Sequence, residues 1–164
     1  MTKIIIANTE LDYKIISNLA ALIWKEHYIP IIGIQQVDYM LTKFQSVNAI
    51  KEQITEGASY YLIKHQGNTI GYLSFYKKKD SLFLSKIYVL SSLRGKGIGK
   101  IAMKFIQSEA EQLGYSKISL TVNKFNTASI KAYEKMNFKK IKELVIDIGN
   151  GFIMDDFLME KKLD

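Results

Sequence analysis

Residues 87–100, with the sequence IYVLSSLRGKGIGK, constrain this chain more than any other stretch. A β-branched and aromatic run ends at two serines, and glycines then occupy positions 95, 97 and 99 as an amphipathic helical pattern begins. The first turn of a helix has backbone N–H groups without intrahelical partners, and the helix dipole makes that end positive. Glycines let an anion approach these groups closely. The stretch therefore predicts a strand, an anion-binding turn and a helix.

The spacing of the glycines distinguishes several kinds of phosphate-binding turn. The nucleotide-binding P-loop requires Lys followed by Ser or Thr, but Lys100 is followed by Ile101. The dinucleotide fingerprint fails because its third glycine comes one residue early and because Ser119 stands where an acidic residue belongs. The pattern Arg/Gln-x-x-Gly-x-Gly/Ala is complete from Arg94 to Gly99. The alternative is that the glycines only give the start of the helix more conformational freedom and bind no anion.

The bulk composition is typical of one folded domain. The chain has 164 residues, of which 48% are hydrophobic, and a single proline. This length suits one sizeable core. No apolar run approaches the roughly 20 residues of a membrane span, and the N-terminal isoleucines are too few for a signal peptide. The lack of cysteine excludes disulfides and thiolate metal sites, and it fits a cytoplasmic protein.

The net charge of +7 bears on the possible partners. Most of the lysines are expected on a solvated surface, and some are available for a ligand's phosphates. Nucleic acid stays open as an alternative partner, although there is no zinc-finger spacing. His27 and His65 are isolated, so we expect no metal site.

The order of the predicted elements gives the fold class. A strand over residues 3–7 precedes a helix that Thr9 caps and that should end before Pro30. Two more helical patterns follow, the last capped by Ser46. The remaining predicted elements are strands over residues 60–64, 69–77 and 82–89, a helix over 98–113, a strand over 117–122, a helix over 126–136 and a hairpin of strands over 138–148 and 152–159. This order predicts an α/β fold with a mixed, mostly antiparallel sheet and helices on both faces.

Two segments resemble the GCN5-related N-acetyltransferase (GNAT) superfamily. The turn from Arg94 to Gly99 resembles the loop that binds the diphosphate of coenzyme A in that superfamily. Residues 122–138 resemble its Asn-x-x-Ala-x-x-x-Tyr-x-x-x-Gly-Phe block, with Asn137 in the place of the glycine. Asn tolerates the left-handed conformation required there. The resemblance implies one N-acetyltransferase domain over residues 1–164 with the GNAT fold.

The resemblance also implies an enzyme that uses acetyl-CoA as its cosubstrate and needs no metal. Tyr133 would be the general acid that protonates the departing thiolate, the alternative being a core tyrosine. A backbone N–H near Val89 would stabilise the oxyanion. Because Ser85 and Lys86 stand where many relatives carry a carboxylate, the base is either a water-mediated path or a carboxylate from elsewhere. The residues assigned to the coenzyme are Ile87, Tyr88, Val89, Arg94, Gly95, Lys96, Gly97, Ile98, Gly99, Lys100, Asn123 and Asn126.

Two further stretches, residues 37–44 and 147–156, resemble PaiA-type acetyltransferases, which are associated with spermidine and spermine. A polyamine needs a local acidic patch on a protein of net charge +7, and Asp147, Asp155 and Asp156 are candidates. Adjacent aspartates on a strand point to opposite faces, so at most one of the last two lines a given pocket. The alternative for these residues is a solvated edge strand.

Three functions follow from the resemblance. The first is acetylation of a small primary amine, in particular a polyamine. The second is acetylation of protein N-termini or lysines. The third is a non-catalytic regulator that binds acyl-CoA or nucleic acid. A homodimer is compatible with each of them, and no membrane partner is expected.

Overall fold

The computed structural model describes all 164 residues. Five α-helices, seven strands and a 3₁₀ turn at Ser91–Leu93 follow one another along the chain. They are β1 (Thr2–Ile6), α1 (Glu10–Ile32), α2 (Ile34–Gln45), α3 (Val47–Thr55), β2 (Ser59–His65), β3 (Asn68–Lys77), β4 (Leu82–Val89), α4 (Ile98–Gln112), β5 (Lys117–Asn123), α5 (Thr127–Lys135), β6 (Lys139–Gly149) and β7 (Phe152–Lys162). None of the helices combines the length and apolar character needed to cross a membrane.

The seven strands form one sheet in the order β1-β2-β3-β4-β5-β7-β6. Every neighbouring pair is antiparallel except β4 and β5, which are parallel. The predicted mixed, mostly antiparallel α/β sheet is therefore confirmed. The sequence pattern did not predict that β7 would lie between β5 and β6, because a hairpin can join a sheet by either of its strands.

The helices cover both faces of the sheet, as predicted, and enclose two hydrophobic clusters. On one face, α4 and α5 pack against the sheet through an aliphatic cluster that includes Leu73, Ala102 and Ile106. On the other face, α1, α2 and α3 enclose a cluster with more aromatic rings, among them Trp24 and Tyr72. We call these the α4–α5 face and the α1–α3 face.

Most local signals hold, and one prediction is wrong. Thr9 forms the predicted capping box with Asp12, and the side chain of Ser46 accepts a hydrogen bond from the first turn of α3. The first helix does not end before Pro30 but continues to Ile32. Proline removes one N–H and crowds the carbonyl four residues before it, but Pro30 lies in the last turn of α1, so the disturbance falls at the end of the helix and not in its interior. The N–H of Gly33 closes this turn by donating to the carbonyl of Ile29, 2.9 Å away.

Candidate active site

A cleft of about 970 Å³ opens where β4 and β5 separate. The two parallel strands pair only at Leu82 with Ile118 and at Phe83 with Ser119. In the pairing of β4 with β3, Ser85 is an extra residue, since Ser74 lies opposite Lys86 while Phe75 lies opposite Leu84. Such a bulge bends its strand. The bend accompanies the separation of β4 from β5 and leaves the second half of β4 lining the cleft.

The separated part of β4 presents unused backbone groups to the cleft. The N–H of Leu90 donates to the carbonyl of Ile70 on the β3 side, 2.9 Å away. Because the backbone groups of an antiparallel strand alternate in direction, those of Tyr88 face β3, and those of Ile87 and Val89 face the gap left by β5. Of the three β4 residues that the resemblance assigns to the coenzyme, Ile87 and Val89 therefore present backbone N–H and C=O groups to the cleft, and Tyr88 does not.

The glycine turn leads into α4 as the sequence predicts. Gly95 and Gly97 have φ of +77° and +80°, in the left-handed region that disfavours other residues. Gly97 caps α4 without any side-chain hydrogen bond. No backbone or side-chain acceptor receives the six successive N–H groups of residues 95–100. Nothing lies within 4 Å of the position that a Cβ would take at residues 95, 97 and 99, so the groups face open space.

The charges around the turn are positive. Arg94 lines the cleft, and its charge, after burial, contributes to lowering the pKa of His27. Lys96 and Lys100 flank the glycines and are exposed. A row of unpaired amides at a helix N-terminus with three cations beside it is suited to bind an anion with several phosphates.

Tyr133 lies on α5 and lines the cleft from the α4–α5 face. Its ring packs edge-on against Phe138 with centroids 5.7 Å apart. Burial raises the pKa of the Tyr133 phenol, and the nearby hydroxyl of Tyr28 raises it further. The phenol therefore keeps its proton throughout the neutral range.

Asn123 and Asn126 form the turn between β5 and α5, and both line the cleft. The Oδ1 atom of Asn123 accepts from the N–H of Phe125 at 2.9 Å. The Oδ1 atom of Asn126 accepts from the N–H of Ser129 at 3.4 Å and so caps α5. Asn126 is 4% exposed. Both carbonyl oxygens thus hold the start of α5, and through it Tyr133, in position.

Aromatic side chains of the α1–α3 face form the opposite wall. The hydroxyls of Tyr28 on α1 and Tyr88 on β4 are 3.1 Å apart and share a hydrogen bond. Trp24 packs against both rings, with centroids 5.8 Å from Tyr28 and 5.5 Å from Tyr88. Burial raises the pKa of both phenols. The side chain of Tyr88 therefore belongs to this wall, away from the glycine turn.

Two ionisable side chains with shifted pKa values line the cleft, Asp156 buried and Lys86 half-buried. Asp156 on β7 is 3% exposed, and burial raises the pKa of its carboxyl to about 6. Lys86 on β4 donates to the Oγ of Ser85 at 2.9 Å, and burial lowers the pKa of its amine to about 8. Neither group forms an ion pair. Unpaired charges that are buried in a cleft are typical of functional sites.

The two stretches that resemble PaiA-type acetyltransferases are in contact. The hydroxyl of Tyr39 on α2 donates to the carbonyl of Ile148 at 2.5 Å, and Lys43 donates to the same oxygen. A Cβ at Gly149 would lie 2.6 Å from the Tyr39 hydroxyl, so this contact requires glycine. Asp147 is used locally, because its Oδ1 accepts from the N–H of Gly149 at 2.7 Å.

The structure brings most of the predicted residues to one cleft. Its lining includes Tyr133, Arg94, Asn123, Asn126 and the β4 segment from Ile87 to Val89. The glycine turn lies at the start of α4, directly after that segment. Sequence reasoning did not identify the wall of Trp24 and Tyr28, because aromatic residues at helical spacing also fit a plain core. It named Asp156 only as part of an acidic patch.

Comparison with known proteins gives the family. The model of the acetyltransferase (GNAT) family matches residues 20–138. An uncharacterized N-acetyltransferase of Escherichia coli (strain K12) is 26% identical over 89 residues, which make up 52% of this chain and 53% of that protein. The chain spans about half the length of the curated relatives it matches.

Solved structures share the fold across nearly the whole chain. PaiA N-acetyltransferase from Thermoplasma acidophilum, solved in complex with coenzyme A, superposes with a TM-score of 0.82 at 19% identity and covers 99% of both chains. The ribosomal-protein-S18-alanine N-acetyltransferase from Escherichia coli superposes with a TM-score of 0.71 at 17% identity, over 100% of this chain and 95% of that one. Because the family model matches well over half of the chain, this protein belongs to the acetyltransferase (GNAT) family.

Proposed function

We propose that this protein is an N-acetyltransferase that transfers the acetyl group of acetyl-CoA to a small primary amine, in particular a polyamine such as spermidine or spermine. The observation that carries the proposal is the row of six unpaired amides at residues 95–100, directly after Arg94, which lines the same cleft as Tyr133. We extend the domain beyond the matched residues 20–138 to residues 1–164, since β1, β6 and β7 lie in the same sheet.

The residues present fit coenzyme A. Its diphosphate would lie against the amides of residues 95–100, where the space over the glycines is open and Arg94, Lys96 and Lys100 supply positive charge. Its pantetheine arm has amide groups that match the free backbone groups of Ile87 and Val89 in the manner of an added strand. Asn123 and Asn126 would flank this arm from the β5 side.

The chemistry needs an oxyanion donor and an acid. The coenzyme supplies an acyl thioester, which the nitrogen of an uncharged amine attacks, forming a C–N bond as the C–S bond breaks. The N–H of Val89 faces the gap between β4 and β5, where it would donate to the oxygen that becomes negative. The phenol of Tyr133 remains protonated because burial raises its pKa, so it has a proton to give to the sulfur.

The acceptor would enter along the α1–α3 face. Two carboxylates line the cleft, Asp156 on β7 and Glu56 just after α3, and each could bind an ammonium group of a polyamine. Three lysines also line it, namely Lys78, Lys86 and Lys142. With a pKa of about 8, Lys86 is still mostly charged at neutral pH, so the two carboxylates would have to outweigh its repulsion of a cationic substrate.

Coenzyme binding can be tested at the glycine turn with a matched control. Gly97 and Gly114 lie at the two ends of α4, have φ of +80° and +83°, and both face open space. Replacing either with Val imposes similar left-handed strain of about 1–3 kcal/mol. Gly97→Val should weaken coenzyme A binding about 10- to 100-fold by calorimetry, because the new side chain would enter the open space where the diphosphate is proposed to lie. Each tenfold corresponds to about 1.4 kcal/mol. Gly114→Val should leave the affinity unchanged, and equal losses in both variants would contradict the proposed turn.

The substrate class can be tested by measuring thiol release from acetyl-CoA with a panel of amines. The panel contains spermidine, a monoamine, an amino acid whose carboxylate would interact with the cleft lysines, and an alanine-terminated peptide. Spermidine should give the highest kcat/KM. Turnover with the peptide and none with spermidine would make the protein a peptide acetyltransferase. Coenzyme binding without turnover of any amine would favour the non-catalytic regulator.

A further inference from the structure

We propose that Asp156 is the general base of this site and takes a proton from the acceptor amine within the cleft. The proposal rests on the proposed N-acetyltransferase function and identifies the general base, which no sequence motif assigns to a residue. It assigns a chemical task to a strand of the C-terminal hairpin, at a distance along the chain from both motifs of the family.

The geometry places a single buried carboxylate in the cleft. Asp156 lies opposite Asn123 of β5 and Leu144 of β6, and all three residues line the cleft. Its neighbour Asp155 points to the other face of the sheet, as alternation on a strand requires, and forms an ion pair with Lys124 at 2.7 Å. The only other carboxylate lining the cleft is that of Glu56, which is exposed.

The surroundings of Asp156 suit a base that works near neutral pH. Burial raises the pKa of the Asp156 carboxyl to about 6, the charge of Asp155 adds to the rise, and the Thr121 hydroxyl and the charge of Lys124 oppose it. From α1, the hydroxyl of Tyr28 faces the same space, and the carboxylate contributes to raising the pKa of that phenol after burial.

The cations that line the cleft are Lys142 on β6, Lys86 on β4, Lys78 and Arg94. No cation lies within 4.0 Å of the Asp156 carboxylate. A carboxylate buried without a partner is unfavourable in isolation, and an incoming ammonium group would supply the missing charge. The site is therefore prepared for an amine that arrives protonated.

The proton balance of the step is complete. The ammonium group gives one proton to the Asp156 carboxylate, and the uncharged nitrogen then attacks the thioester carbon. The C–S bond breaks, and the sulfur takes the proton of Tyr133. The second proton of the attacking nitrogen returns to the Tyr133 oxygen, and Asp156 releases its own proton to solvent. The products are an N-acetylated amine, a free thiol and one proton.

The test measures kcat/KM against pH for the wild type and Asp156→Asn. The wild type should lose activity below about pH 6, because only the ionised carboxylate accepts a proton. Asp156→Asn should lower kcat about 100- to 10,000-fold, the usual contribution of a general base, and should abolish this acid limb. Coenzyme A affinity should stay unchanged. The acid limb should keep its position when spermidine is replaced by a less basic amine.

Controls separate a chemical role from a structural one. Asp155→Asn removes a carboxylate from the adjacent position and should keep the rate within a few-fold. The acid limb should remain and move slightly to lower pH, because the charge of Asp155 contributes to raising the pKa of Asp156. Asp156→Glu should restore part of the rate together with the acid limb of the pH profile. If Asp156→Asn does not fold, the Asp156→Glu variant provides the test of the assignment. An unchanged acid limb in Asp156→Asn, or loss of coenzyme binding together with turnover, would overturn the assignment. If the wild type acetylates no amine, the proposed function itself fails.

Discussion

The two faces of the sheet are stabilised in different ways. On the α4–α5 face the buried residues are almost all aliphatic, as at Leu73 and Ile106, and their burial has no directional requirement. On the α1–α3 face, buried polar groups are joined in a network in which the Tyr72 hydroxyl donates to Gln45 at 2.5 Å and Gln45 donates to Tyr60 at 3.1 Å. Apolar packing stabilises both faces, and the α1–α3 face adds hydrogen bonds among buried polar side chains.

This difference corresponds to the division of the proposed chemistry. The α4–α5 face carries the glycine turn and Tyr133, which together form the side assigned to the coenzyme. The α1–α3 face carries Tyr28, Tyr88 and Asp156, which surround the space assigned to the amine. In this proposal the two faces have separate tasks, coenzyme binding on the first and acceptor recognition on the second.

Tyr133→Phe tests the phenol that lines the cleft from the α4–α5 face and has the largest expected effect. If the phenol is the acid, kcat should fall about 100- to 10,000-fold while coenzyme A still binds. The measurements are thiol release and calorimetry. Tyr115→Phe is the control, because Tyr115 does not line the cleft and its hydroxyl donates to the carbonyl of Lys78 at 2.8 Å. An active Tyr133→Phe variant would mean that Tyr133 contributes to packing and is not the general acid.

Ile106→Ala tests the aliphatic packing itself. Ile106 is fully buried, so the truncation should reduce the free energy of unfolding by about 2–5 kcal/mol in a denaturant titration. Ile101→Ala, on the same helix but 44% exposed, should cost far less. Similar losses in the two variants would contradict the packing described for α4.

Tyr72→Phe tests the hydrogen-bonded face with almost no change of volume. It leaves the Oε1 atom of the buried Gln45 without its donor, which should cost about 1–3 kcal/mol of unfolding free energy. Tyr76→Phe is the matched control, since no hydrogen bond of its hydroxyl is found in the structure. A cost near zero for Tyr72→Phe would mean that shape alone also holds this face.

Asp156 should make stability depend on pH in the opposite direction from an ion-paired carboxylate. Its pKa is about 6 when folded against about 3.9 when unfolded, so the unfolded chain releases the proton first as pH rises. Stability should fall between these values, and Asp156→Asn should be more stable than the wild type by up to about 3 kcal/mol above pH 6. The gain should vanish below pH 4. Thermal melts at pH 4 and pH 8 provide the measurement.

Sequence reasoning identified the elements of the α4–α5 face because local rules determine them. Arg94 and the three glycines that follow it on alternate positions define a turn. Asn137, with φ of +71°, takes the left-handed conformation expected in place of glycine. The sequence predicts the first helix too short because proline is disfavoured in the interior of a helix, whereas Pro30 lies in the last turn of α1. Asp156 could not be assigned, because its burial depends on the pairing of β7 with β5, which no local pattern encodes.

The placement of β7 between β5 and β6 has a consequence for how the protein is made. The ribosome delivers β6 first, yet β6 lies at the sheet edge, and β7 is its only neighbour. Until β7 emerges, the preceding strand has nothing to join, and the carboxylate proposed as the base has not yet been synthesised. Premature termination should therefore yield chains that already carry the glycine turn but still lack the means to activate an amine.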